Sequence, residues 1–530
     1  MSFYLEIYEY ILHHDISSKR QLQNLKIKLS KKYDLKKIPS NSDIISRIPE
    51  SFSEQKKNNL IKVLQRKPMR TMSGVAIIAV MTSPTTCPHG SCIPCPGGPV
   101  YDSPQSYTGY EPAAMRAKLN DFDPFRQVFT RISQLTSIGH PTDKIDLIIM
   151  GGTFTARDPY YRSWYVKRCY DALNETTASS LVEAIKLNET AIHRCIGLTV
   201  ETRPDWFRQQ HIDDSLSFGA TRVELGVQTI YDDVLLQMHR GHTVTDTIDA
   251  TRIAKDAGLK VCYHMMPGLP GSDINRDVDA FKTIFTDQHF KPDMIKIYPT
   301  LVVKGTALYG LWEKGEYQPL TTQEATDLIV TITSYLPEWI RIQRIQRDIP
   351  AQYIDCGVMK SNLRQLVENE LQEQRKSNLD IRAREVGHIK NNELIDLNEV
   401  DVSVKTVTYD ASNGKEVFIS LNTDPYDALV GYIRLREITH SHRYELADKQ
   451  CMMIRELKVV GKELGIGEQS IDGWQHRGFG SKLLDEAITL SKDESDSKWL
   501  YVLSGVGVKE YYRKYHHFQD DGIYLRKNIA

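Results

Sequence analysis

The stretch that decides the fold is CPHGSCIPCPGGP, residues 87–99, in which three cysteines lie within nine residues. No fourth cysteine is near Cys87, Cys92 and Cys95. Three thiolates at such a spacing are typical of a [4Fe–4S] cluster that keeps one iron without a protein ligand. Zinc usually takes four ligands, and His89 is only two residues from Cys87, which is poor spacing for the fourth. We therefore expect an iron–sulfur cluster with an open iron.

An open iron suits a molecule that chelates through an amino and a carboxylate group, and S-adenosylmethionine has that chemistry. One electron breaks its S–C bond and yields a 5′-deoxyadenosyl radical. MGGTF, residues 150–154, ends the next predicted strand after the cysteines. Gly151 and Gly152 permit close approach of a ligand, and their N–H groups suit its methionine end. A glycine pair after a strand also commonly marks a simple turn.

The composition bounds the class of protein. A chain of 530 residues predicts two to four domains. Its 41% hydrophobic and 25% charged residues are ordinary for a globular protein. Eight cysteines are too few for a disulfide scaffold of this length, so their crowding indicates a metal site. We find neither a run of eighteen apolar residues nor a signal-peptide pattern, and expect a cytoplasmic enzyme that does not bind membranes.

The net charge of −1 conceals an asymmetry along the chain. Residues 1–70 contain fifteen Lys and Arg against seven Asp and Glu, which leaves about −9 for the remainder. Such a basic lobe favours a polyanionic partner, because neutralised phosphates release counterions. The alternative is a solvated, lysine-rich helical face, and charge alone does not separate the two.

From residue 74 onward, short β-rich runs alternate with helical patterns. The predicted strands are VAIIAVMT (75–82), DLIIMGG (146–152), CIGLTVET (195–202), RVELGVQT (222–229), KVCYHMMPG (260–268) and MIKIYPT (294–300). This alternation predicts a parallel sheet covered by helices, here a partial (β/α)6 barrel over residues 71–315. Its mouth would receive the polar residues at strand ends: Glu201, Gln228, His264 and Lys296.

The other regions have different textures. Residues 1–70 show helical periodicity, and residues 316–390 are interpreted as a helical connector. Residues 391–530 predict a mixed α+β domain, with a hairpin around Asn413–Gly414. The fold class is therefore α/β, with a partial barrel, a C-terminal α+β domain and a small helical N-terminal region.

A second motif, QHRGFG, residues 475–480, runs directly into the predicted helix SKLLDEAITLS. A glycine-rich turn at a helix N-terminus can hold a phosphate, because free N–H groups and the helix dipole face the anion. Its place after RELKV, residues 455–459, matches the turn that binds pyrophosphate in acetyl-coenzyme A acyltransferases. Downstream, Tyr511 and Tyr512 follow on a helix, where either phenol could hydrogen-bond near a thioester or simply pack.

These motifs, in this order, resemble the catalytic subunit of Elongator and its stand-alone archaeal relatives, in which a radical module precedes a GNAT acetyltransferase module. The stretches that carry the resemblance include the cysteine motif, SYTGYEP (106–112), HMMPGLPG (264–271), DMIKIYP (293–299), AREVGH (383–388), RELKV (455–459), WQHRGFGSKLL (474–484) and SGVGVKEYYRK (504–514). The resemblance implies a tRNA uridine carboxymethyltransferase that uses S-adenosylmethionine and acetyl-coenzyme A as co-substrate. Its partner would be the anticodon stem-loop of tRNA, and a homodimer or Elongator-like partner subunits stay open.

The resemblance also assigns residues by position. The cluster ligands are Cys87, Cys92 and Cys95; Lys144 is implied to contact acetyl-coenzyme A and, with Tyr511 and Tyr512, to serve catalysis. The remaining cofactor-binding residues are Gly151, Gly152, Glu456, Leu457, Lys458, Val459, Gln475, Gly478, Phe479, Gly480, Ser481 and Tyr512.

Two departures from the family pattern stand out. Pro94 occupies a position that is usually aromatic in the family, so packing around the cofactor is expected to differ. The stretch KSNLDIRAREVG, residues 376–387, contains none of the cysteines that many relatives carry there. We therefore predict no zinc site.

Two other functions compete with this interpretation. A protein lysine acetyltransferase with a structural cluster would need a general base, for which Glu456 is the obvious candidate, but acetyl transfer to lysine has no use for an open iron. A scaffold subunit with inactive sites is the other alternative, and the intact cysteines, glycines and tyrosines argue against it.

Overall fold

The computed structural model describes residues 2–16, 18–66, 74–388, 400–424, 426–447, 449–460, 478–493 and 497–530. They form an N-terminal lobe (residues 2–66), a central domain (residues 74–388) and a C-terminal domain (from residue 400 onward). Among these residues we find no helix with the length and apolar character needed to span a membrane.

The N-terminal lobe is a helical bundle. Its helices are α1 (Phe3–His13), α2 (Lys19–Lys32), α3 (Asn41–Ile45) and α4 (Glu54–Leu64). Each begins after a serine whose side chain accepts a hydrogen bond from a first-turn backbone N–H, which is the usual N-cap. Ile7, Tyr8 and Leu60 are fully buried in its small core. Its lysines, apart from the buried Lys26, are left mainly on the surface.

The central domain contains a parallel sheet of seven strands in sequential order. The strands are β1 (Ala76–Met81), β2 (Lys144–Met150), β3 (Arg194–Thr202), β4 (Arg222–Gln228), β5 (Lys260–Met265), β6 (Met294–Ile297) and β7 (Arg341–Ile345). Six strands were expected. The seventh strand lies within residues 316–390, for which the sequence predicts a helical connector. This strand, β7, pairs in parallel with β6.

Helices cover one face of this sheet and bury its aliphatic residues. They are α5 (Pro112–Leu119), α6 (Pro124–Ser137), α7 (Pro159–Leu173), α8 (Leu181–Asn188), α9 (Gln209–Ser217), α10 (Asp232–Gln237), α11 (Val244–Asp256), α12 (Ile274–Thr286), α13 (Ala307–Glu313), α14 (Thr322–Thr333), α15 (Leu363–Glu373) and α16 (Ile381–Arg384). Since side chains alternate along a strand, the opposite face presents the intervening residues, many of them polar.

The C-terminal domain contains a second, mixed sheet of seven strands, in the order β13-β14-β12-β11-β10-β9-β8. The strands are β8 (Asp401–Ala411), β9 (Gly414–Asp424), β10 (Leu429–Ile438), β11 (Cys451–Val459), β12 (Trp499–Val502), β13 (Gln519–Asp521) and β14 (Tyr524–Asn528), and the helices are α17 (Phe479–Asp493) and α18 (Lys509–His516). The predicted hairpin is present, but its turn residues are Ser412 and Asn413, both with positive φ, as a type I′ turn requires.

Strands β11 and β12 form a wedge. In the described structure they pair in parallel only from Cys451 to Ile454, while β11 continues to Val459. The segment after β12 packs instead on the start of β3, where a Cβ on Gly505 would lie 2.0 Å from the carbonyl oxygen of Ile196. The wedge therefore opens toward the amino-terminal edge of the central sheet.

A buried cluster of charges joins the two domains. Arg455 Nη1 donates to Asp293 Oδ1 and to Glu416 Oε1, each at 2.9 Å. Arg436 Nη2 donates to Asp256 Oδ1 at 2.6 Å, and Lys255 Nζ to Glu416 Oε1 at 3.1 Å. Arg434, Arg436 and Arg455 are at most 1% exposed. Because acids and bases of both domains neutralise one another, this cluster fixes the orientation of one domain on the other.

The substitution Asp293→Ala tests this cluster. It removes the carboxylate that Arg455 and Arg434 share and leaves them Glu416 and Glu456, respectively. Breaking a buried ion pair by removing one partner costs about 3–5 kcal/mol. We expect this loss in urea unfolding followed by circular dichroism. Glu54→Gln, which removes an ion pair of 2.8 Å at a carboxylate that is 80% exposed, is the matched control and should cost less than about 1 kcal/mol. Equal stabilities of the two variants would contradict the assignment.

Candidate active site

Cys87, Cys92 and Cys95 lie in the loop after β1, at the edge of the sheet where all seven strands end. Each sulfur has its own polar neighbour: Thr153 Oγ1 lies 3.6 Å from Cys87 Sγ, His89 Nε2 lies 3.1 Å from Cys92 Sγ, and Ser106 Oγ lies 3.4 Å from Cys95 Sγ. A cavity of about 300 Å³ adjoins Cys92 and Cys95. The loop therefore brings the three predicted ligands to one place beside open space.

The surroundings of these thiols suit negatively charged sulfur. Burial raises the pKa values of Cys87 and Cys92, and the positive charge of Arg240 opposes the rise at both. Arg240 Nη1 lies 3.5 Å from Cys92 Sγ, and Gln105 Nε2 lies 3.3 Å from Cys95 Sγ. A bound iron deprotonates its thiol ligands, and these donors would then stabilise the thiolates. The residues present therefore fit a cluster with three protein ligands.

The two glycines after β2 have different environments. A Cβ on Gly152, where φ is +84°, would lie 3.8 Å from Cys87 Sγ. A Cβ on Gly151 would lie only 2.2 Å from Thr82 Oγ1. Gly152 therefore borders the cluster loop, as predicted for a cofactor contact, whereas Gly151 permits β2 to end close against β1.

Three of the four predicted mouth residues, Glu201, His264 and Lys296, form a polar network together with Tyr107 and Glu224. Gln228 ends β4 and makes no side-chain hydrogen bond to this network among the described residues. Tyr107 donates to Glu201 Oε2 at 2.7 Å, and Lys296 Nζ is 3.9 Å from Glu201 Oε1. Lys296 also pairs with Glu224, which accepts from His264 Nε2 at 2.9 Å. Tyr107 and Glu224 were missed; Glu224 could have been found from an acid standing in an otherwise apolar strand.

The two acids of this network have pKa values shifted in opposite directions. Burial raises the pKa of Glu201, even against the opposing charge of Lys296. At Glu224, the charge of Lys296 and the hydrogen bond from His264 outweigh burial, and the pKa falls well below its usual range. Glu224, Cys262 and His264 place ligand atoms within 4.8 Å of one another. Burial keeps the Cys262 thiol protonated, however, and Lys296 already neutralises Glu224, so the group suits an internal ion pair better than a metal.

Residues after β7 close the loop that follows the cysteines. Arg347 Nη2 donates to the carbonyl oxygen of Ser106, and the guanidinium lies 4.0 Å from Glu111. The rings of Tyr110 and Tyr353 stack with centroids 3.6 Å apart. These contacts were not predicted from the sequence, since they depend on β7. They hold the first and last loops of the open sheet together beside Cys95.

Pro94 is half-buried in the cysteine loop. Its neighbour Ile93 packs against Val234, Met238 and Leu269, and the backbone N–H of Ile93 donates to the carbonyl oxygen of Met238. The loop is thus anchored at this point by an aliphatic side chain rather than by a ring.

The second motif lies at the start of α17. Gly478 has a φ of +81°, and a Cβ on it would have no atom of the described residues within 4 Å. Phe479, Gly480 and Ser481 form the first turn of α17, and a Cβ on Gly480 would lie 3.0 Å from Tyr511 Oη. Tyr511 therefore borders the turn, while Tyr512 is 4% exposed within the core of the domain. Gln475 lies outside the described residues.

Of the coenzyme residues predicted on β11, Glu456 and Lys458 face the central domain, whereas Leu457 packs in the C-terminal core and Val459 lies beside Gly480. Glu456 accepts a hydrogen bond from Arg434 Nε at 2.9 Å, and Lys458 Nζ is 3.6 Å from Glu385 Oε1. Leu457 and Val459 lie on the same strand, where both are half-buried. Lys144 begins β2 and is in register with Arg194 of β3. Lys144 thus lies at the amino-terminal edge of the sheet, opposite the cysteines.

Three family models match segments of the chain. The ELP3 N-terminal domain matches residues 1–72, the Radical SAM superfamily matches residues 116–284, and the Radical_SAM C-terminal domain matches residues 292–373. The matched segments account for the N-terminal lobe and for most of the central sheet, including β7. The radical SAM match implies S-adenosylmethionine and a [4Fe–4S] cluster, in agreement with the three cysteines.

Similar proteins extend the comparison over the whole chain. The chain is 50% identical over 495 residues to a tRNA uridine(34) acetyltransferase of Methanocaldococcus jannaschii, covering 93% of this chain and 90% of the relative. It is 40% identical over 518 residues to the Elongator complex protein 3 of Saccharomyces cerevisiae, covering 96% and 92% respectively. The solved archaeal Methanocaldococcus infernus Elp3, lacking residues 1–46, matches with a TM-score of 0.76 and 44% identity, over 86% of this chain and 100% of that structure. The chain belongs to the Elongator complex protein 3 family.

Proposed function

We propose that this protein attaches a carboxymethyl group, derived from acetyl-coenzyme A, to carbon 5 of the wobble uridine of tRNA. The observation that carries the proposal is geometric: the three cysteines follow β1 at the carboxyl edge of the central sheet, and the C-terminal domain packs on its amino edge, at the start of β3. The names of the archaeal relatives, which act on tRNA uridine 34, agree with it.

Different residues of the chain would hold the cluster and its cofactor. Cys87, Cys92 and Cys95 would hold the cluster, and Gly152 leaves space beside Cys87 for the methionine end of the cofactor. When bound, the cluster and S-adenosylmethionine supply a radical able to activate a methyl group. The Arg347 contact and the stacked tyrosines connect the loop after the cysteines to the segment after β7.

At the other edge, the residues suit a coenzyme. The first N–H groups of α17, after Gly478, would suit the pyrophosphate of acetyl-coenzyme A. Tyr511 borders this turn and would orient the thioester end. Glu456, Lys458 and Lys144 would line the wedge between β11 and β12, into which the pantetheine arm can extend.

The alternative of a protein lysine acetyltransferase is weakened by the state of Glu456. Burial alone would raise its pKa, but Lys260, Arg434 and Lys458 outweigh that effect and the pKa is lowered. A general base works best with a pKa near the working pH. Glu456 is therefore a poor base for lysine, and its ion pair with Arg434 belongs to the cluster that joins the domains.

We further propose that the N-terminal lobe binds tRNA. Its lysines are distributed over exposed helix surfaces and include Lys28, Lys31 and Lys36. Such an arrangement suits contact with a phosphate backbone, whose neutralisation releases counterions. The eukaryotic relatives are named as members of a complex, so partner subunits could add to this surface.

Isotope transfer tests the reaction. Anaerobically reconstituted protein is incubated with tRNA, a reductant, S-adenosylmethionine and methyl-labelled acetyl-coenzyme A, and the nucleosides are then separated. We expect label on uridine, and at least about a hundredfold loss in Cys92→Ala, because the open iron requires all three thiolates. Cys356→Ala, which removes a half-buried cysteine elsewhere, serves as control and should keep activity. Label found only on lysine would favour the alternative function.

The salt dependence of tRNA binding tests whether the N-terminal lobe contacts tRNA. We compare tRNA affinity at several salt concentrations for the native chain and for a triple variant, Lys28→Gln, Lys31→Gln and Lys36→Gln. Each lysine that contacts a phosphate should reduce the slope of log K against log salt by about 1. A matched variant of exposed C-terminal lysines, Lys492→Gln with Lys498→Gln, should leave the slope unchanged. The lobe is not the binding surface if both variants behave like the native chain.

A further inference from the structure

A polar row crosses the face of the central sheet that the helices leave free. It consists of Asp146, Glu201, Arg222, Glu224 and Lys296, one or two from each of β2, β3, β4 and β6. Arg222 Nη2 donates to Asp146 Oδ2 at 3.2 Å, and Arg222 Nε lies 3.6 Å from Glu224 Oε1. Glu224 pairs with Lys296, which lies 3.9 Å from Glu201. The polar row thus runs from the amino-terminal half of the sheet toward the cysteine loop.

The lower end of the polar row meets the wedge of the C-terminal domain. Burial lowers the pKa of Lys260, a neighbour of Arg222 in register, and the charge of Glu456 on β11 opposes that shift. Burial likewise lowers the pKa of Lys458, and Asp146 is among the acids that oppose it. On the same strand, Arg455 Nη2 donates to the carbonyl oxygen of Leu259 at 2.7 Å, directly before Lys260, so β11 adjoins the start of β5 beside Arg222.

At this junction two polar atoms are buried without a hydrogen bond. Among the described residues, neither Arg222 Nε nor Asp146 Oδ1 has a hydrogen-bond partner. Beside them, β3 has Gly197, where a Cβ would lie 3.3 Å from Asp146 Oδ1. The side chains of Asp146 and Arg222 are 20% and 10% exposed. Buried polar groups in native proteins are normally satisfied, so this pair has capacity for a polar ligand.

The N–H donor of Arg222 that has no hydrogen-bond partner among the described residues suits the carbonyl oxygen of an acyl thioester. A guanidinium presents several N–H donors in a fixed plane, and a carbonyl oxygen accepts from them readily. A thioester carried in the wedge between β11 and β12 would present its carbonyl oxygen first to the polar row at Arg222. Free coenzyme A has a thiol in place of this acyl group and cannot make the same contact.

We propose that Arg222, oriented by Asp146, binds the carbonyl oxygen of the acetyl thioester. This inference rests on the proposed use of acetyl-coenzyme A and names the residue that distinguishes the acetylated coenzyme from the free one. Arg222 is thereby a specificity-determining residue, outside both sequence motifs.

Calorimetry on the protein without its cluster tests the inference, with acetyl-coenzyme A and coenzyme A as separate ligands. The native chain should bind the acetylated form more tightly. In Arg222→Gln, the affinity for acetyl-coenzyme A should fall by about tenfold or more, because a hydrogen bond to a charged group is lost. The affinity for coenzyme A should stay unchanged. Arg344→Gln removes an arginine near the carboxyl edge that pairs with Asp348, and as control it should keep the native preference.

Two further variants keep the test informative if Arg222→Gln does not fold. Arg222→Lys keeps the charge beside Asp146 but not the planar donors, and Asp146→Asn weakens the anchor of Arg222; both should reduce the preference for the acetylated form. Equal losses for both ligands, or a native chain without preference, would overturn the inference. Failure of the native chain to bind either ligand would instead overturn the proposed function.

Discussion

A fully parallel sheet has two unlike edges, and the arrangement of this protein depends on that constraint. All carboxyl ends of β1–β7 lie at one edge, which holds the cysteine loop and Gly152. All amino ends lie at the other, where Gly505 of the C-terminal domain packs on the start of β3. A strand of seven residues separates the two by roughly 20 Å at the usual rise per residue. Two different chemistries can thus occupy one sheet without sharing ligands, and only its free face connects them.

The parts of this design that are local in sequence could be predicted. The spacing of Cys87, Cys92 and Cys95 identifies the cluster loop because its ligands lie within one turn-rich segment. The strand ends at Glu201, His264 and Lys296 were found because parallel strands place their last residues at the mouth. The glycine-rich turn before α17 was recognised for a similar reason, since a cradle and its helix are consecutive.

The parts that depend on tertiary contacts could not be predicted from the sequence. The segment RIQRI of β7 alternates polar and apolar residues, so its sequence does not predict a buried strand. Its first arginine, Arg341, is accommodated by an ion pair with Glu385. From the sequence alone we would predict a solvent-exposed sheet face at Arg434, Arg436 and Arg455. They are buried because acids of another domain, more than 140 residues away in sequence, neutralise them. The same applies to Tyr107, whose partner Glu201 is 94 residues distant.

The interdomain charge cluster also has a consequence for synthesis of the chain. Asp293 leaves the ribosome 162 residues before Arg455, its partner. At translation rates of roughly 5–20 residues per second, this delay is about 8–30 seconds. During that time Asp293 lacks Arg455 and Arg434 and keeps Lys255 of its own domain as a nearby cation, so the base of the sheet stays more hydrated than in the finished protein. The central domain is therefore expected to reach its final packing only after the C-terminal strands have emerged, which makes late synthesis the step most exposed to misfolding.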